Sequence, residues 1–107
     1  MSLFEIRHYE VFPGKMDAWV TFMETQVVPF FAARGMIVTA MFRDADGGDQ
    51  FTYIRRFDDE AHRAALYAAV YESDDWQTNY KPTVRRLVDV DKTIVYRAVG
   101  TPCSTMR

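Results

Sequence analysis

The sequence predicts an α+β fold, a ferredoxin-like βαββαβ domain with a four-stranded antiparallel sheet. Two observations predict it. Four segments alternate apolar and polar residues with the period of two that is typical of strands, and two segments repeat apolar residues at helical spacing. The chain of 107 residues is long enough for one core. We therefore predict a single domain over residues 1–107, with the folded core at about residues 3–98 and an irregular tail at residues 99–107.

The first half of the chain is predicted to contain one strand and one helix. Residues 3–11 alternate with period two, and a Pro-Gly pair then ends the strand. From Lys15 onward, apolar residues recur at every third or fourth position, which marks one face of an amphipathic helix. Pro29 predicts a kink near the end of this helix, because proline lacks the amide donor of a regular helix. Gly35 is the expected helix end.

The second half begins with a predicted hairpin. Residues 36–43 and 51–57 are its strands, and the Asp- and Gly-rich residues 44–49 form the turn between them. A helix over residues 61–70 follows, with Asp58 as its predicted N-cap.

The remainder of the second half is predicted to contain a short helical turn and the last strand. Ser73 is placed to cap the turn, and Pro82 is expected to interrupt it. Residues 91–98 alternate again and predict the fourth strand.

The strand patterns also predict which face of the sheet packs on the helices. We expect the more apolar set of each strand to face them. These sets are Phe4, Ile6 and His8 in the first strand, Met36, Val38, Ala40 and Phe42 in the second, and Ile94, Tyr96 and Ala98 in the fourth. The opposite sets mix apolar and charged residues, and the third strand sorts clearly to neither face. Such an open face is large for a monomer, so we expect a second copy to cover it in a two-fold homodimer.

The composition excludes several classes of protein. Aromatic residues make up 15% of the chain, which favours a bulky core or a shared interface. The net charge of −2 gives no general attraction for nucleic acid. No apolar run is long enough for a membrane span. The single cysteine, Cys103, excludes an intrachain disulfide. Because the first residues lack a signal-peptide pattern, we expect a cytoplasmic protein.

Several runs of residues resemble the motifs of the NIPSNAP family. Phe4-Glu5-Ile6-Arg7-His8-Tyr9, followed by Pro13-Gly14-Lys15, is similar to the strand and turn that open these domains. Arg56-Phe57-Asp58-Asp59 is similar to the end of the family's third strand, and Ser73-Asp74-Asp75-Trp76 to an acidic-Trp element after its second helix. The resemblance covers about residues 3–98.

This resemblance implies a dimeric α+β barrel, in which two such sheets close around each other. It implies no particular reaction, because the family has no agreed activity, and the wider superfamily includes cofactor-independent and haem-degrading monooxygenases. The chain also departs from the family pattern. Tyr53 and Arg55 stand in the third strand where members often have His and Trp, so a site that relies on that histidine is in doubt.

His8 and Tyr9 are the candidate catalytic residues. His8 is predicted on the helix-facing side of the first strand, where its imidazole could act as a general base for a phenol or an enol. It could also bind haem iron. The structural alternative is a strand-end histidine that is hydrogen-bonded to the backbone. Tyr9 is the neighbouring polar candidate.

Arginines in the strands form a second candidate set. The set comprises Arg7, Arg43, Arg97 and either Arg55 or Arg56. A guanidinium suits bidentate pairing with carboxylate or phosphate, so we predict that Arg7 and Arg56 hold an anionic ligand. The alternative is ion pairing with Glu5, Glu10 and Asp91, within the sheet or between subunits.

Tyr53, Trp76 and Tyr80 are the aromatic ligand-binding candidates. Trp76 and Tyr80 lie four residues apart and would face the same way on a helix, either as the wall of a pocket or as core. No residue spacing predicts a metal site, and no glycine-rich phosphate loop or nucleophile elbow is present. We therefore predict no metal and no cofactor.

The sequence thus predicts a homodimeric barrel that binds a small aromatic or anionic metabolite in a pocket between helices and sheet. A cofactor-independent monooxygenase or isomerase would use the same pocket. Two alternatives stay open, a non-catalytic homodimeric interaction protein and a haem-handling barrel. The sequence does not decide whether the protein is an enzyme.

Overall fold

The computed structural model describes all 107 residues, which form one sheet and three helical stretches. The strands are β1 (Leu3–Val11), β2 (Ile37–Arg43), β3 (Gln50–Phe57) and β4 (Val88–Ala98). The helices are α1 (Met16–Phe22), α2 (Val28–Ala33), α3 (Glu60–Tyr71) and α4 (Lys81–Leu87). A π-helical turn at Met23–Val27 joins α1 to α2, and a second one at Trp76–Tyr80 leads into α4. The predicted α+β class, with four antiparallel strands, is confirmed.

Each of the two π-helical turns ends two residues before a proline. Pro29 is the second residue of α2, and Pro82 is the second residue of α4. A proline inside a helix lacks the donor that the regular ladder needs, so the backbone adjusts in the preceding turn. The predicted disturbance near Pro29 is therefore a π turn. We expected Pro82 to interrupt the helical turn, but the helix continues past it. That helix continues to Leu87, and β4 begins three residues earlier than predicted.

The ends of the helical stretches follow from local hydrogen bonds. Gly35 ends the first stretch with a φ of +86°, a conformation that favours glycine. The N-cap of α3 is Asp59, whose carboxylate accepts a hydrogen bond from the His62 amide at 2.8 Å. The prediction of Asp58 was wrong by one residue. Ser73 caps as predicted, since its Oγ accepts a hydrogen bond from the Trp76 amide at 3.2 Å.

The strand order across the sheet is β2–β3–β1–β4, with every neighbouring pair antiparallel. β1 is therefore a central strand. In its register, Glu5 lies opposite Arg55, and Arg7 lies between Tyr53 on β3 and Val95 on β4. This register brings charged and phenolic side chains from neighbouring strands to the same place under the helices.

The predicted assignment of the strand faces was wrong for β1 and β4. The face of β1 that packs on the helices carries Leu3, Glu5, Arg7, Tyr9 and Val11, and the predicted set lies on the open face. Ile94 and Tyr96 of β4 are likewise on the open face and about half exposed. The error has a physical cause. Glu5 and Arg7 find partners under the helices, so the mixed set is the buried one.

The predicted assignment of strand faces was only partly right for β2. A register shift between Val38 and Ala40 changes the face that the following residues occupy. Val38 and Met41 both pack against the core, whereas Phe42 is 57% exposed on the open face. β3 sorts cleanly. Its buried residues are Phe51, Tyr53, Arg55 and Phe57.

Candidate functional site

A cavity of about 260 Å³ lies between the helices and the sheet. Its walls come from β1, β3 and β4 on one side and from the helical stretches on the other, and 11 of its 13 lining residues are hydrophobic. The lining residues are Arg7, Tyr9, Trp19, Met23, Val27, Phe31, Tyr53, Tyr71, Trp76, Val84, Val88, Val90 and Thr93. A small apolar cavity with a few convergent polar groups is the usual form of a ligand pocket. We call it the central pocket.

Arg7 supplies the only charged side chain in the wall of the central pocket. Its Nε donates a hydrogen bond to the Tyr9 hydroxyl at 3.0 Å, and its Nη1 donates one to the Tyr67 hydroxyl at 3.3 Å. Glu5 is the nearest carboxylate, at 3.8 Å from Nη1. The Nη2 group of Arg7 contacts no protein acceptor. The guanidinium is thus held in place on one side and free on the other.

Glu5 and Arg55 form a buried ion pair behind this wall. Both side chains are fully buried, and Nη2 of Arg55 donates a hydrogen bond to Oε1 of Glu5 at 2.6 Å. Arg63 of α3 donates from Nε to the other carboxylate oxygen at 2.7 Å. The hydroxyl of Tyr67 lies within 2.8 Å of both oxygens. One carboxylate therefore joins β1, β3 and α3.

The pKa of Glu5 reflects this environment. Burial alone would raise it, but the charge of Arg55 and the hydrogen bonds from Arg63, Arg55 and Tyr67 outweigh burial and lower the pKa to about 2. Glu5 is consequently a permanent carboxylate at physiological pH. It acts as a structural counter-ion and has no proton to exchange there.

Tyr9 and Tyr71 of the wall remain neutral hydrogen-bond donors. Burial raises the pKa of Tyr9 well above its ordinary value, and it does the same for Tyr71. The hydroxyls of Tyr9 and Tyr53 lie 3.0 Å apart and share one hydrogen bond. The Tyr71 hydroxyl accepts a hydrogen bond from Nη1 of Arg55. The polar part of the wall is thus built almost entirely from donors.

Aromatic rings form the apolar end of the central pocket. Trp76 comes from the second π turn and is stacked on Phe31, with ring centroids 5.7 Å apart. The first π turn supplies Met23 and Val27. A π turn places side chains out of the regular helical order and is frequent at functional sites. Trp19 adds an indole whose buried Nε1 has no acceptor in the protein.

The structure brings four of the predicted site residues together in this wall. Arg7, Tyr9, Tyr53 and Trp76 all line the central pocket. Tyr80 lies one layer further out, parallel to Trp76 with ring centroids 5.6 Å apart, and it does not line the cavity.

His8 and Arg56 lie outside the central pocket. His8 is on the open face of the sheet, where its Nδ1 is 2.8 Å from the Thr52 hydroxyl and its ring meets the edge of Tyr96. The prediction that His8 faces the helices was wrong, because strand β1 turns its other face to them. Arg56 is also on the open face, 3.9 Å from Asp58.

The sequence analysis missed two hydrogen-bond partners of Arg55. Tyr67 and Tyr71 are one helical turn apart on α3, and both hydroxyls bond to Arg55. Their spacing of four was a signal that they share one face of the helix. Glu5 was considered only as an ion-pair partner for the strand arginines. The structure contains that pairing within the subunit, between Glu5 and Arg55.

The family model for NIPSNAP matches residues 4–102. The chain belongs to the NIPSNAP family. The match covers nearly the whole described fold, including all four strands and the central pocket. No curated protein shows a significant match to this chain.

Solved structures of NIPSNAP proteins share the fold. One NIPSNAP family protein from Agrobacterium tumefaciens is 19% identical, with a TM-score of 0.85 and complete coverage of both chains. A second one from the same organism, described as of unknown function, is 18% identical with a TM-score of 0.86, and the match covers 99% of this chain and 94% of that one. An uncharacterized NIPSNAP domain protein from Burkholderia xenovorans is 16% identical with a TM-score of 0.82, over 95% and 97% of the two chains.

No group of three or more His, Cys, Asp or Glu side chains is arranged to hold a metal ion. None of the helices has both the length and the apolar character that crossing a bilayer requires.

Proposed function

We propose that this NIPSNAP protein binds a small, ring-containing metabolite in the central pocket. The observation that carries the proposal is the combination, in one cavity, of an apolar aromatic wall with Arg7, whose Nε and Nη1 bond to tyrosine hydroxyls while Nη2 has no hydrogen-bond partner in the protein. A fully structural core would fill the space beside that group. The volume of about 260 Å³ lies just below the usual range for drug-sized ligands, so the ligand has one or two rings.

Catalysis in the same pocket is the second candidate function. Arg7 and the tyrosine hydroxyls are the kind of donors that a cofactor-independent isomerase or monooxygenase uses to stabilise an enolate. However, the lining residues include neither a histidine nor a carboxylate that could take the proton. The geometry therefore favours binding over turnover.

The haem alternative and the pure interaction alternative have less support. Neither His8 nor His62 lines the central pocket, so a haem bound there would have no histidine ligand. A protein that only docks to partners is expected to have a filled pocket with every strand arginine paired across the subunits. The unfilled cavity beside Arg7 argues against that expectation, and all five strand arginines lie within 3.9 Å of a carboxylate of their own chain.

The open face of the sheet supports a second part of the proposal, that two copies form a dimeric α+β barrel of ferredoxin-like sheets. Ile37 and Phe42 of β2 are exposed at one side of this face, and Ile94 and Tyr96 of β4 at the other. Between them lie the apolar residues Ile6 and Ile54, in register on the central strands. An apolar surface that extends across four strands is typical of an interface, and a second copy covers it with one closed two-fold contact.

The two tryptophans give a direct test of ligand binding. Trp19 and Trp76 both line the central pocket, and the chain contains no others. We expect 2-naphthamide or 2-naphthoate to shift both indole ¹H–¹⁵N signals in NMR spectra. In Val84→Phe, the larger side chain occupies the pocket, and the shifts should disappear. The matched control Val99→Phe, outside the pocket, should keep them. Unchanged indole signals in the wild type at millimolar ligand would contradict the proposal.

A further inference from the structure

The charges around the central pocket do not balance within the protein. Arg7 and Arg55 have no carboxylate partner other than Glu5. Glu5 is 2.6 Å from Arg55 but 3.8 Å from Arg7, so its charge is chiefly committed to Arg55. Arg63 takes the second oxygen of Glu5 and, at the surface, shares Glu60 with Arg97, at 3.1 Å and 2.7 Å. One positive charge, that of Arg7, therefore remains without a close counter-ion at the wall of an apolar cavity.

The hydrogen-bond donors of the wall are also in excess. The Tyr71 hydroxyl accepts from Arg55, and its own proton has no acceptor in the protein. Tyr9 and Tyr53 share one hydrogen bond, so one of their two protons is left over whichever hydroxyl donates. The Nη2 group of Arg7 adds two more N–H donors. These donors come from residues that all line the same cavity.

Few acceptors are available to balance this set. Glu5 already receives hydrogen bonds from Arg55, Arg63 and Tyr67, and it does not line the cavity. Because burial raises the pKa of Tyr9 and of Tyr71, neither of these hydroxyls supplies a negative charge instead. Thr93 is the one remaining side-chain hydroxyl in the wall. A ligand that complements such a wall must bring acceptors and a negative charge.

From this surplus of one charge and several donors, we infer that the ligand is a monoanion, an aromatic monocarboxylate whose carboxylate binds Arg7 and whose ring lies against Trp76. This inference rests on the proposed function and names the chemical class of its ligand. Tyr71 and the Tyr9–Tyr53 pair donate the additional hydrogen bonds. A guanidinium with a free edge suits a planar carboxylate.

The distribution of charge in the pocket wall also disfavours a ligand with a second negative charge. The rest of the cavity is lined mainly by Met23, Val27, Phe31 and valines, and its two further donors, Trp19 Nε1 and the Thr93 hydroxyl, carry no charge that could balance a second carboxylate. A dianion would have to bury one charge among these side chains, at a cost that exceeds the gain from Arg7. The pocket thus favours a monocarboxylate over both its neutral amide and the corresponding dicarboxylate.

Calorimetry with three matched ligands tests this inference. The ligands are 2-naphthoate, its neutral analogue 2-naphthamide, and naphthalene-2,6-dicarboxylate. At pH 7.5 we expect the Kd of the monocarboxylate to be at least about tenfold lower than that of the amide, because charge-assisted hydrogen bonds from the Arg7 guanidinium replace neutral ones. The dicarboxylate should bind more weakly than the monocarboxylate.

Substitution of Arg7 tests whether this side chain causes the preference for the carboxylate over the amide. In Arg7→Met the Kd values of the carboxylate and the amide should come within about twofold of each other, and Arg7→Gln is a second variant with the same expectation. Arg86→Met, an exposed arginine on α4, should keep the wild-type ratio. Equal Kd values in the wild type, or a carboxylate preference that survives in both Arg7 variants, would overturn the inference and leave the proposed pocket intact. If neither naphthoate nor naphthamide binds, the proposed function itself is wrong, and the inference with it.

Discussion

Glu5 and Arg55 face each other across the β1–β3 pair and form a fully buried ion pair, with Nη2 of Arg55 at 2.6 Å from Oε1 of Glu5. Tyr67, Tyr71 and Arg63 complete the hydrogen bonding of this pair from α3. Two buried charges are stable in such a place only when their remaining donors and acceptors are satisfied. The pair therefore fixes α3 on the sheet and holds the position of Arg7 beside it.

Removing one member of the pair should strongly destabilise the fold. In Arg55→Met, Glu5 loses the partner that compensates its burial, and we expect the free energy of unfolding to fall by about 3–5 kcal/mol. Arg86→Met, at an exposed position, should change it by less than about 0.5 kcal/mol. Urea denaturation at a fixed protein concentration measures both. A loss below about 1 kcal/mol in Arg55→Met would show that the pair is not buried as described.

Glu5 should also make the free energy of unfolding depend on pH. Its pKa is about 2 in the folded protein against an ordinary value of 4.5, so the folded state favours the carboxylate. The resulting stability is fully present above about pH 4.5 and is lost as the pH falls toward 2. The whole difference corresponds to about 3 kcal/mol. Urea denaturation between pH 7 and pH 3 should show about 2 kcal/mol of this fall, and Glu5→Gln should lack most of it. An equal fall in Glu5→Gln would assign the effect to other carboxyl groups.

The hydroxyl of Tyr67 should contribute measurably to folding. It bonds to both oxygens of Glu5 and accepts from Arg55. Tyr67→Phe removes one hydrogen-bond partner from each of these buried charged groups, so we expect a loss of about 1.5–3 kcal/mol in thermal or urea unfolding. Tyr80→Phe is the matched control, because the Tyr80 side chain makes no hydrogen bond. Equal losses in the two variants would argue against the hydrogen-bond account.

Dimerisation should depend on the open face of the sheet. Sedimentation of the wild type should give the mass of two 12.5 kDa chains. Tyr96→Asp introduces a charge on the β4 side of the exposed apolar surface and should yield a monomer. Phe12→Asp changes an exposed aromatic residue in the turn after β1 and should remain dimeric. A wild-type monomer at all concentrations, or an unaffected Tyr96→Asp dimer, would contradict the proposed assembly.

Local sequence pattern determines where strands and helices begin and end, whereas tertiary partners determine which face of a strand packs on the helices. The alternation in residues 3–11 predicted β1 with its observed bounds, and Gly35 predicted the end of the first helical stretch. The faces of β1 could not be derived in this way. Apolar content pointed to Phe4 and Ile6 as the set that faces the helices, whereas Glu5 is buried there because Arg55 and Arg63 reach it from distant parts of the chain.

The candidate site shows the same division. Arg7, Tyr9, Tyr53 and Trp76 were predicted as site residues from residue type and motif, and the structure places them around one cavity. His8 was placed on the wrong face because its strand was oriented by hydrophobicity alone. The cavity itself depends on the two π turns, whose positions before Pro29 and Pro82 are visible only in the folded helices.

The crystal structure of the protein with bound 2-naphthoate is the most direct test of the central claim, that the central pocket holds a small aromatic monoanion. We predict the carboxylate within hydrogen-bond distance of Arg7 Nη2, and the naphthalene ring against Trp76. A naphthoate bound elsewhere, or one in the central pocket with its carboxylate directed away from Arg7, would contradict the account.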